Sequence, residues 1–320
     1  MFAESVVAGP LLRELRTAAG IGLRVMATRT AFAAGYLSEV ETGRKPVTDA
    51  VVCAYRKVLG DPTLGMPDVD VDRLAATVAD PSGAGASSLE DITVILERSR
   101  RLEYSAGPGL VAPVARGLDG LARVLAAEHV AGTSGAALAS EVARFRGWLE
   151  LALGRPHSGD KALADSAELA EEAGDPSQLQ HAMSFRAYGL REQGDLRSAI
   201  ALTEEALKVP GTHPMLRVYD SYQLAKFHVA RGEASAALRQ LRRADRAAEA
   251  TDELEPPSYG YWYSTGFWAL QRGRVLWMAG AHDRGRQEVI DGLAALPGAD
   301  RESTWAAKWR AAADGGDMPA

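Results

Sequence analysis

A chain of 320 residues and 34.0 kDa is about twice the usual single-domain length, which points to two modules or a repeat array. Its net charge of −6 excludes nucleic-acid binding through overall basicity. Its 47% hydrophobic, 24% charged composition holds no apolar run near the roughly 20 residues that cross a bilayer, so no membrane partner is expected. The only cysteine, Cys53, excludes an internal disulfide and a multi-thiolate zinc site and is expected as a small buried side chain; with no secretory signal at the start, the expected location is cytoplasmic.

The charge is uneven along the chain. Residues 10–60 carry eight basic side chains (Arg13, Arg16, Arg24, Arg29, Arg44, Lys45, Arg56, Lys57) against four acidic ones (Glu14, Glu39, Glu41, Asp49), a net of +4 that leaves −10 on the remainder. A small basic module on an acidic body is the arrangement expected when only the small part meets phosphate. Four short helices are predicted within it. Pro10 suits a first helical turn, where its missing N–H costs nothing, and Leu11, Leu12 and Leu15 recur at helical spacing up to a stop at Gly20. Stretches 23–29, 33–42 and 48–59 follow, with Gly43 and Pro46 breaking the chain before the last.

The run LRELRTAAGIGLRVMATRTAFAAGYLSEVETGRKPVT resembles the helix-turn-helix module of phage repressors and Cro, in the form common among actinobacterial regulators. Leu15-Arg16, Gly20, Met26-Ala27, Tyr36-Leu37-Ser38, Glu41, Gly43-Arg44 and Pro46 carry the likeness, and the module is assigned to residues 1–60. The resemblance implies a structural pair between Arg16 and Glu41. It also implies base-facing positions at Ala33, Ala34, Gly35 and Glu39, with Arg24, Arg29, Thr42, Arg44 and Lys45 as phosphate contacts. Alanine reaches only a thymine methyl, glycine nothing, and Glu39 repels phosphate, so DNA binding of low sequence specificity is expected. Where the family carries a polar cap, a turn glycine and a second polar cap, this chain has Gly22, Ala31 and Ala33.

Residues 61–88 mix Pro, Gly, Asp and Ser around one helical stretch at 71–78 and read as a linker. From 89 to 320 the leucine and alanine periodicity is helical throughout, beginning with 89–103 and 111–128, and no strand-like alternation occurs. A repeat is visible from glycines at predicted helix ends. Gly194 is followed at offsets of five and twelve by Ala199 and Ala206, Gly232 by Ala237 and Ala244, and Gly280 by Gly285 and Gly292; Gly154 starts an earlier, shifted copy. Small residues at fixed offsets let two antiparallel helices approach closely. This body resembles a tetratricopeptide-type solenoid of the irregular kind fused to helix-turn-helix modules in actinobacterial regulators. The segments at 100–118, 145–154 and 169–178 share the likeness, and Trp305 and Trp309 are assigned to a capping helix. The fold class is all-α, a helix-turn-helix bundle followed by an α-solenoid.

In such an array the first helix of each pair lines the concave face. Counting back from each glycine gives Arg144 and Trp148; His181, Ser184 and Tyr188; Tyr219, Tyr222 and Lys226; and Phe267 and Arg274. Arg186 falls where a leucine usually packs, so it needs a carboxylate (Glu150 or Glu192) or a ligand anion. The ligand set is therefore Arg144, Trp148, His181, Arg186, Tyr188, Tyr219, Tyr222, Lys226 and Arg274. The stripe Tyr259, Trp262, Tyr263, Gly266 suits either helix packing or a pocket wall. Peptide-sensing regulators clamp a peptide main chain with asparagines, of which this sequence has none, so a small anionic or aromatic molecule fits at least as well as a peptide. The favoured function is a ligand-responsive transcriptional regulator that works as a homodimer. The alternative is a repurposed scaffold acting as an enzyme or binding protein, with His181, Tyr188, Tyr222, Lys226 or His228 as acid/base candidates. No metal-ligand spacing, nucleophile motif or phosphate loop is present, so no cofactor, metal or catalytic residue is assigned.

Overall fold

The computed structural model describes residues 7–61, 64 and 69–319, and among these the regular elements are all helical. They divide into two compact units, one up to Val69 and one from Asp70. Residues 1–6 of the expected first module and 62, 63 and 65–68 of the expected linker lie outside the described residues.

The first unit holds α1 (Gly9–Ala18), α2 (Leu23–Thr30), α3 (Ala34–Glu41) and α4 (Asp49–Leu59). Pro10 occupies the first turn of α1. The Thr48 side chain accepts from the Val51 N–H at the head of α4, and Gly60 closes that helix in the left-handed region. By contrast α2 and α3 start at Gly22 and Ala33 with no side-chain cap, and Ala31 between them takes φ 58°, where a β-carbon costs roughly 1 kcal/mol. These helices are held by their core instead: Leu12, Met26, Leu37, Val40, Val51, Val52 and Tyr55 are buried together. Gly9 brings α1 so close to α3 that a β-carbon there would lie 1.9 Å from the Val40 carbonyl oxygen. Cys53 corrects an expectation. The buried face of α4 runs through Val51, Val52 and Tyr55, which turns Cys53 out to solvent.

The second unit opens with α5 (Val71–Ala79), which is not free linker: the Arg73 guanidinium donates to both oxygens of buried Asp91, at 2.7 and 2.8 Å. Five helix hairpins follow. They are α6 (Ala86–Ala106) with α7 (Pro108–Ala127), α8 (Thr133–Ala152) with α9 (Pro156–Ala173), α10 (Pro176–Glu192) with α11 (Leu196–Ala206), α12 (Pro214–Ala230) with α13 (Ala234–Glu249), and α14 (Thr265–Met278) with α15 (His282–Ala295). Short helices α16 (Gly298–Glu302) and α17 (Ala307–Ala313) end the chain.

The glycine register of the sequence marks these hairpins. Gly154, Gly194, Gly232 and Gly280 turn the chain between paired helices with φ from 71° to 90°, and Ala199, Ala206, Ala237 and Ala244 are fully buried at the crossings. In the last hairpin glycine faces glycine: a β-carbon on Gly266, Gly273, Gly285 or Gly292 would meet the partner backbone at 2.7–2.9 Å. The first helices of successive hairpins are tied by buried polar groups. Gln180 and Ser184 of α10 donate to the two oxygens of Asp220 on α12, at 2.7 and 2.5 Å, and Gln223 donates to the Ser184 carbonyl. The chain then returns to its first hairpin, where the Thr304 N–H donates to the Tyr104 carbonyl of α6 at 2.8 Å. That return makes the concave face a partly enclosed cavity rather than an open groove.

Candidate functional sites

In the first unit α2 and α3 stand as consecutive short helices around Ala31. Ala33 caps α3, Ala34 and Gly35 form its first turn, and a β-carbon built on Gly35 meets nothing, so this end of the helix is an open surface of small side chains. Glu39 is not bare. Its Oε2 lies 2.8 Å from Lys45 Nζ, which also sits 5.4 Å above the Tyr36 ring, and this pairing lowers the Glu39 pKa and raises that of Lys45. Arg24, Arg29 and Arg44 are exposed; the Arg44 Nε donates to the Thr42 hydroxyl at 3.1 Å, which in turn donates to the Ser38 carbonyl.

Behind that surface the Arg16–Glu41 pair forms as the resemblance implies, closed and two-pronged: Nε to Oε1 at 2.6 Å and Nη2 to Oε2 at 2.7 Å. The Arg16 Nη1 also donates to the Ile21 carbonyl. Tyr55 of α4 adds a third arm, its hydroxyl donating to Glu41 Oε1 at 2.6 Å. Burial alone would raise the Glu41 pKa, but the bonds from Arg16 and Tyr55 outweigh it and hold the carboxyl below its ordinary value. Tyr55 was not identified from the sequence, because nothing in its spacing separates it from a core aromatic.

In the second unit a cavity of about 150 Å³ lies inside the ring of first helices. Arg144, Phe145 and Trp148 of α8, Phe185 and Tyr188 of α10, Tyr219 and Lys226 of α12, and Phe267, Gln271 and Arg274 of α14 line it. Six residues of the expected ligand set are thus brought together: Arg144, Trp148, Tyr188, Tyr219, Lys226 and Arg274. The rest of the wall comes from elements whose return to the cavity no local pattern announces: Arg100, Glu103 and Tyr104 of α6, Tyr261 and Trp262 ahead of α14, and Trp305, Lys308 and Trp309 at the chain end.

Three expected ligand residues lie elsewhere. Arg186 points to the second helix of the preceding hairpin, its Nε 2.9 Å from Asp160 of α9, and it is half-buried rather than sealed in a core; neither Glu150 nor Glu192 is its partner. Glu150 is held by Arg116 and Arg155. Tyr222 shares a helix face with Tyr219 and Lys226 but is taken up beside the cavity, stacked on Trp268 and donating to Asp245 of α13 at 2.9 Å. His181 is fully buried behind the cavity wall among Phe185, Tyr259, Trp262 and Tyr263, with burial first and then Arg144 driving its pKa well below the ordinary value. Among the acid/base candidates of the enzyme reading, His228 is closed into its own turn by Glu233, at 2.6 Å.

The charged groups on the cavity wall are mainly cations, with Glu141 and Glu192 acting on Arg144 and Arg274 from beyond the wall without bonding them. Arg144 is 2% exposed, its Nε makes a long 3.3 Å bond to Gln178 Oε1, and its Nη2 has no hydrogen-bond partner. Lys226 is buried with the neutral Gln271 oxygen at 2.7 Å. Arg274 is buried with its Nε unpartnered. Of these cavity cations Arg100 holds a carboxylate, Glu141 at 2.7 Å. Burial lowers Arg144 and Arg274 to about 10 and pushes Lys226 well below its ordinary value; it also raises the one carboxyl on the wall, Glu103, to about 7. Among the described residues no group of three or more His, Cys, Asp or Glu is placed to hold a metal, and no helix is long and apolar enough to cross a membrane.

Comparison with solved structures gives several likenesses. A kinesin-light-chain repeat protein of Podosopora anserina, described as having nearly identical TPR-like repeats, shares 13% identity over 64% of this chain and 95% of its own, with a TM-score of 0.41. PlcR of Bacillus thuringiensis, solved in complex with the peptide PapR7 and DNA, shares 12% identity over 91% of this chain and 97% of its own, with a TM-score of 0.37. No curated protein matches the chain. One family model does, the one described as "Helix-turn-helix domain", over residues 8–74. Residues 8–74, and with them the first unit, are a helix-turn-helix domain.

Proposed function

We propose that the protein is a ligand-responsive transcriptional regulator, binding DNA through the first unit and a small molecule or peptide in the cavity of the second. The observation that carries the reading is a set of buried cations without carboxylate partners around an aromatic cavity, in the same chain as a helix-turn-helix domain. Uncompensated buried charge costs several kcal/mol, and a fold keeps it where something else supplies the counter-charge. On the DNA side Arg24, Arg29, Thr42, Arg44 and Lys45 hold phosphates, while Ala33, Ala34 and Glu39 offer the bases little. Binding is therefore steep in salt and shallow in sequence. The working form is a homodimer, since two copies present two such modules to the two halves of a site.

The experiment is fluorescence anisotropy against DNA from upstream of the protein's own gene and against a scrambled duplex, across a salt series, with light scattering for the oligomer. Affinity that falls steeply with salt, with less than about tenfold preference for the upstream duplex, supports the reading. Absence of binding to either duplex at low salt favours the alternative, a scaffold whose DNA-reading surface has lapsed and whose cavity serves a binding or catalytic role. The small side chains at the head of α3 and the Lys45 clasp on Glu39 are what favour that second reading.

A further inference from the structure

The identity of the cavity's occupant can be narrowed, on the reading that the cavity is a ligand site. The unsatisfied hydrogen-bonding atoms of its wall are Arg144 Nη2, Arg274 Nε, the indole Nε1 of Trp305 and the Tyr104 hydroxyl, and the first three can only donate. A guanidinium and an indole N–H have no acceptor capacity, so the missing partner is an acceptor. The cations form two groups. Lys226 and Arg274 each sit one turn before the ends of α12 and α14, with Lys308 exposed nearby, and the charges that act on Lys226 are those of Arg274, Arg191 and Lys308. Arg144 lies two turns before the end of α8, and its nearest cationic influence is Arg100. Phe185, Tyr219, Phe267 and Trp262 form the wall of the same cavity, with Tyr219 and Phe267 stacked at an interplanar angle of 8°.

We infer that the occupant is a small aromatic acid of one or two rings, its carboxylate held by Lys226 and Arg274, its ring against Phe185, Tyr219 and Trp262, and an acceptor at its far end facing Arg144. Size, charge and surface agree on this. A cavity of about 150 Å³ holds a benzene-sized ring and is below the range that buries a drug-sized or peptide ligand. An extended peptide also brings an ammonium group, and the one carboxyl on the wall, Glu103, is in balance between its neutral and charged forms at neutral pH. A carboxylate brings the counter-charge that favours the charged form of Lys226 and pairs with Arg274 through charge-assisted bonds, and the ring gains from aromatic and cation–π contact.

The test uses two matched pairs by calorimetry on the full chain: 4-hydroxybenzoate against 4-hydroxybenzamide, and indole-3-acetate against indole-3-acetamide. A pool of random heptapeptides is titrated alongside. At least one acid is expected to bind below 1 mM with its amide twentyfold weaker or more. Arg274→Met and Lys226→Met are each expected to weaken the acid at least tenfold and the amide less than threefold. Removal of a buried cation without a carboxylate partner does not endanger folding, which circular-dichroism melting verifies, and Arg186→Met, outside the cavity, leaves both ligands unchanged. Amides that bind as well as acids, with loss in Trp262→Ala, would overturn the acid assignment while the cavity reading stands. Peptide binding without acid binding would do the same. Acid binding that both cation variants leave intact places the acid elsewhere and overturns the assignment. No binding by any probe overturns the assignment and the ligand-site reading together.

Discussion

Glu41→Gln tests what holds the helix-turn-helix unit together. In the native unit Glu41 accepts both prongs of Arg16 and the Tyr55 hydroxyl, and it is 3% exposed. The amide keeps the volume but loses the charge and turns an N–H₂ toward one of these donors, leaving a buried guanidinium with at most one neutral amide oxygen and the Ile21 carbonyl. Breaking one side of such a pair costs about 3–5 kcal/mol. A unit of about 60 residues has only about 3–9 kcal/mol of stability in total, so this change removes a third or more of it. At about 1 kcal/mol per molar urea, the midpoint falls by roughly 3 M. Arg16→Met with Glu41→Leu removes both charges, leaves the Tyr55 hydroxyl and the part-buried Ile21 carbonyl without these partners, and is expected within about 2 kcal/mol of the native chain. The exposed Cys53 is the chain's only thiol and takes a single environment-sensitive fluorophore on α4; all six tryptophans lie between positions 148 and 309 and report the second unit separately. A midpoint drop under about 0.5 M for Glu41→Gln, or a double variant as unstable as the sum of the singles, would refute the reasoning.

Other outcomes follow from the same geometry. Ala33→Ser supplies the missing cap of α3 and Ala31→Gly relieves the left-handed alanine, together raising the labelled unit's stability by about 1–3 kcal/mol; Gly22→Ser adds least, because glycine already caps tolerably. Asp220 has its pKa raised to about 7 by burial, against the bonds from Ser184 and Gln180. The folded unit therefore holds a proton that the unfolded chain releases near pH 4, and this stabilising contribution is lost as pH rises through about 7. Asp220→Asn, with Gln180 turned so that its free Oε1 accepts the new amide, is expected to stabilise the second unit by about 1–3 kcal/mol at pH 8 and not at pH 5, read by tryptophan fluorescence. Glu39→Ala frees Lys45 and is expected to raise DNA affinity and to steepen the salt dependence by about one unit per bound module, whereas Arg44→Ala weakens binding to every sequence alike; anisotropy against two unrelated duplexes checks both.

The local turns were legible because single residues decide them. Gly154, Gly194, Gly232 and Gly280 each take a left-handed turn that other residues resist, and the small residues five and twelve positions on are the ones that close helix crossings demand. The Arg16–Glu41 tie was legible by resemblance alone; Tyr55, its third arm, carries no signal that sets it apart from a packed ring. Counting inward faces placed Arg144, Lys226 and Arg274 on the cavity because their helices share one orientation. It failed for Tyr222, which lies on the same helix face as Lys226, because Trp268 of α14 and Asp245 of α13 pack on that part of the face and take the side chain into the core. Arg186 was read as a buried charge from a repeat pattern, but the position is only half-buried and Asp160 on the outer helix reaches it. The α6 and C-terminal walls depend on contacts some 200 residues apart, such as Thr304 to Tyr104, which no window of sequence contains. Cys53 turned outward because hydrophobic type does not fix phase on a helix whose buried stripe is already filled by Val51, Val52 and Tyr55.

The central claim joins the two units: what fills the cavity changes how the chain binds DNA. The direct measurement is the apparent affinity for the upstream duplex with and without the small-molecule fraction of the native cell's extract, for the native chain and for Arg274→Met in parallel. Coupling between sites of the usual 1–3 kcal/mol predicts a change of at least fivefold for the native chain and none for Arg274→Met. An equal change in both proteins, or no change in either while the duplex is bound, would contradict it.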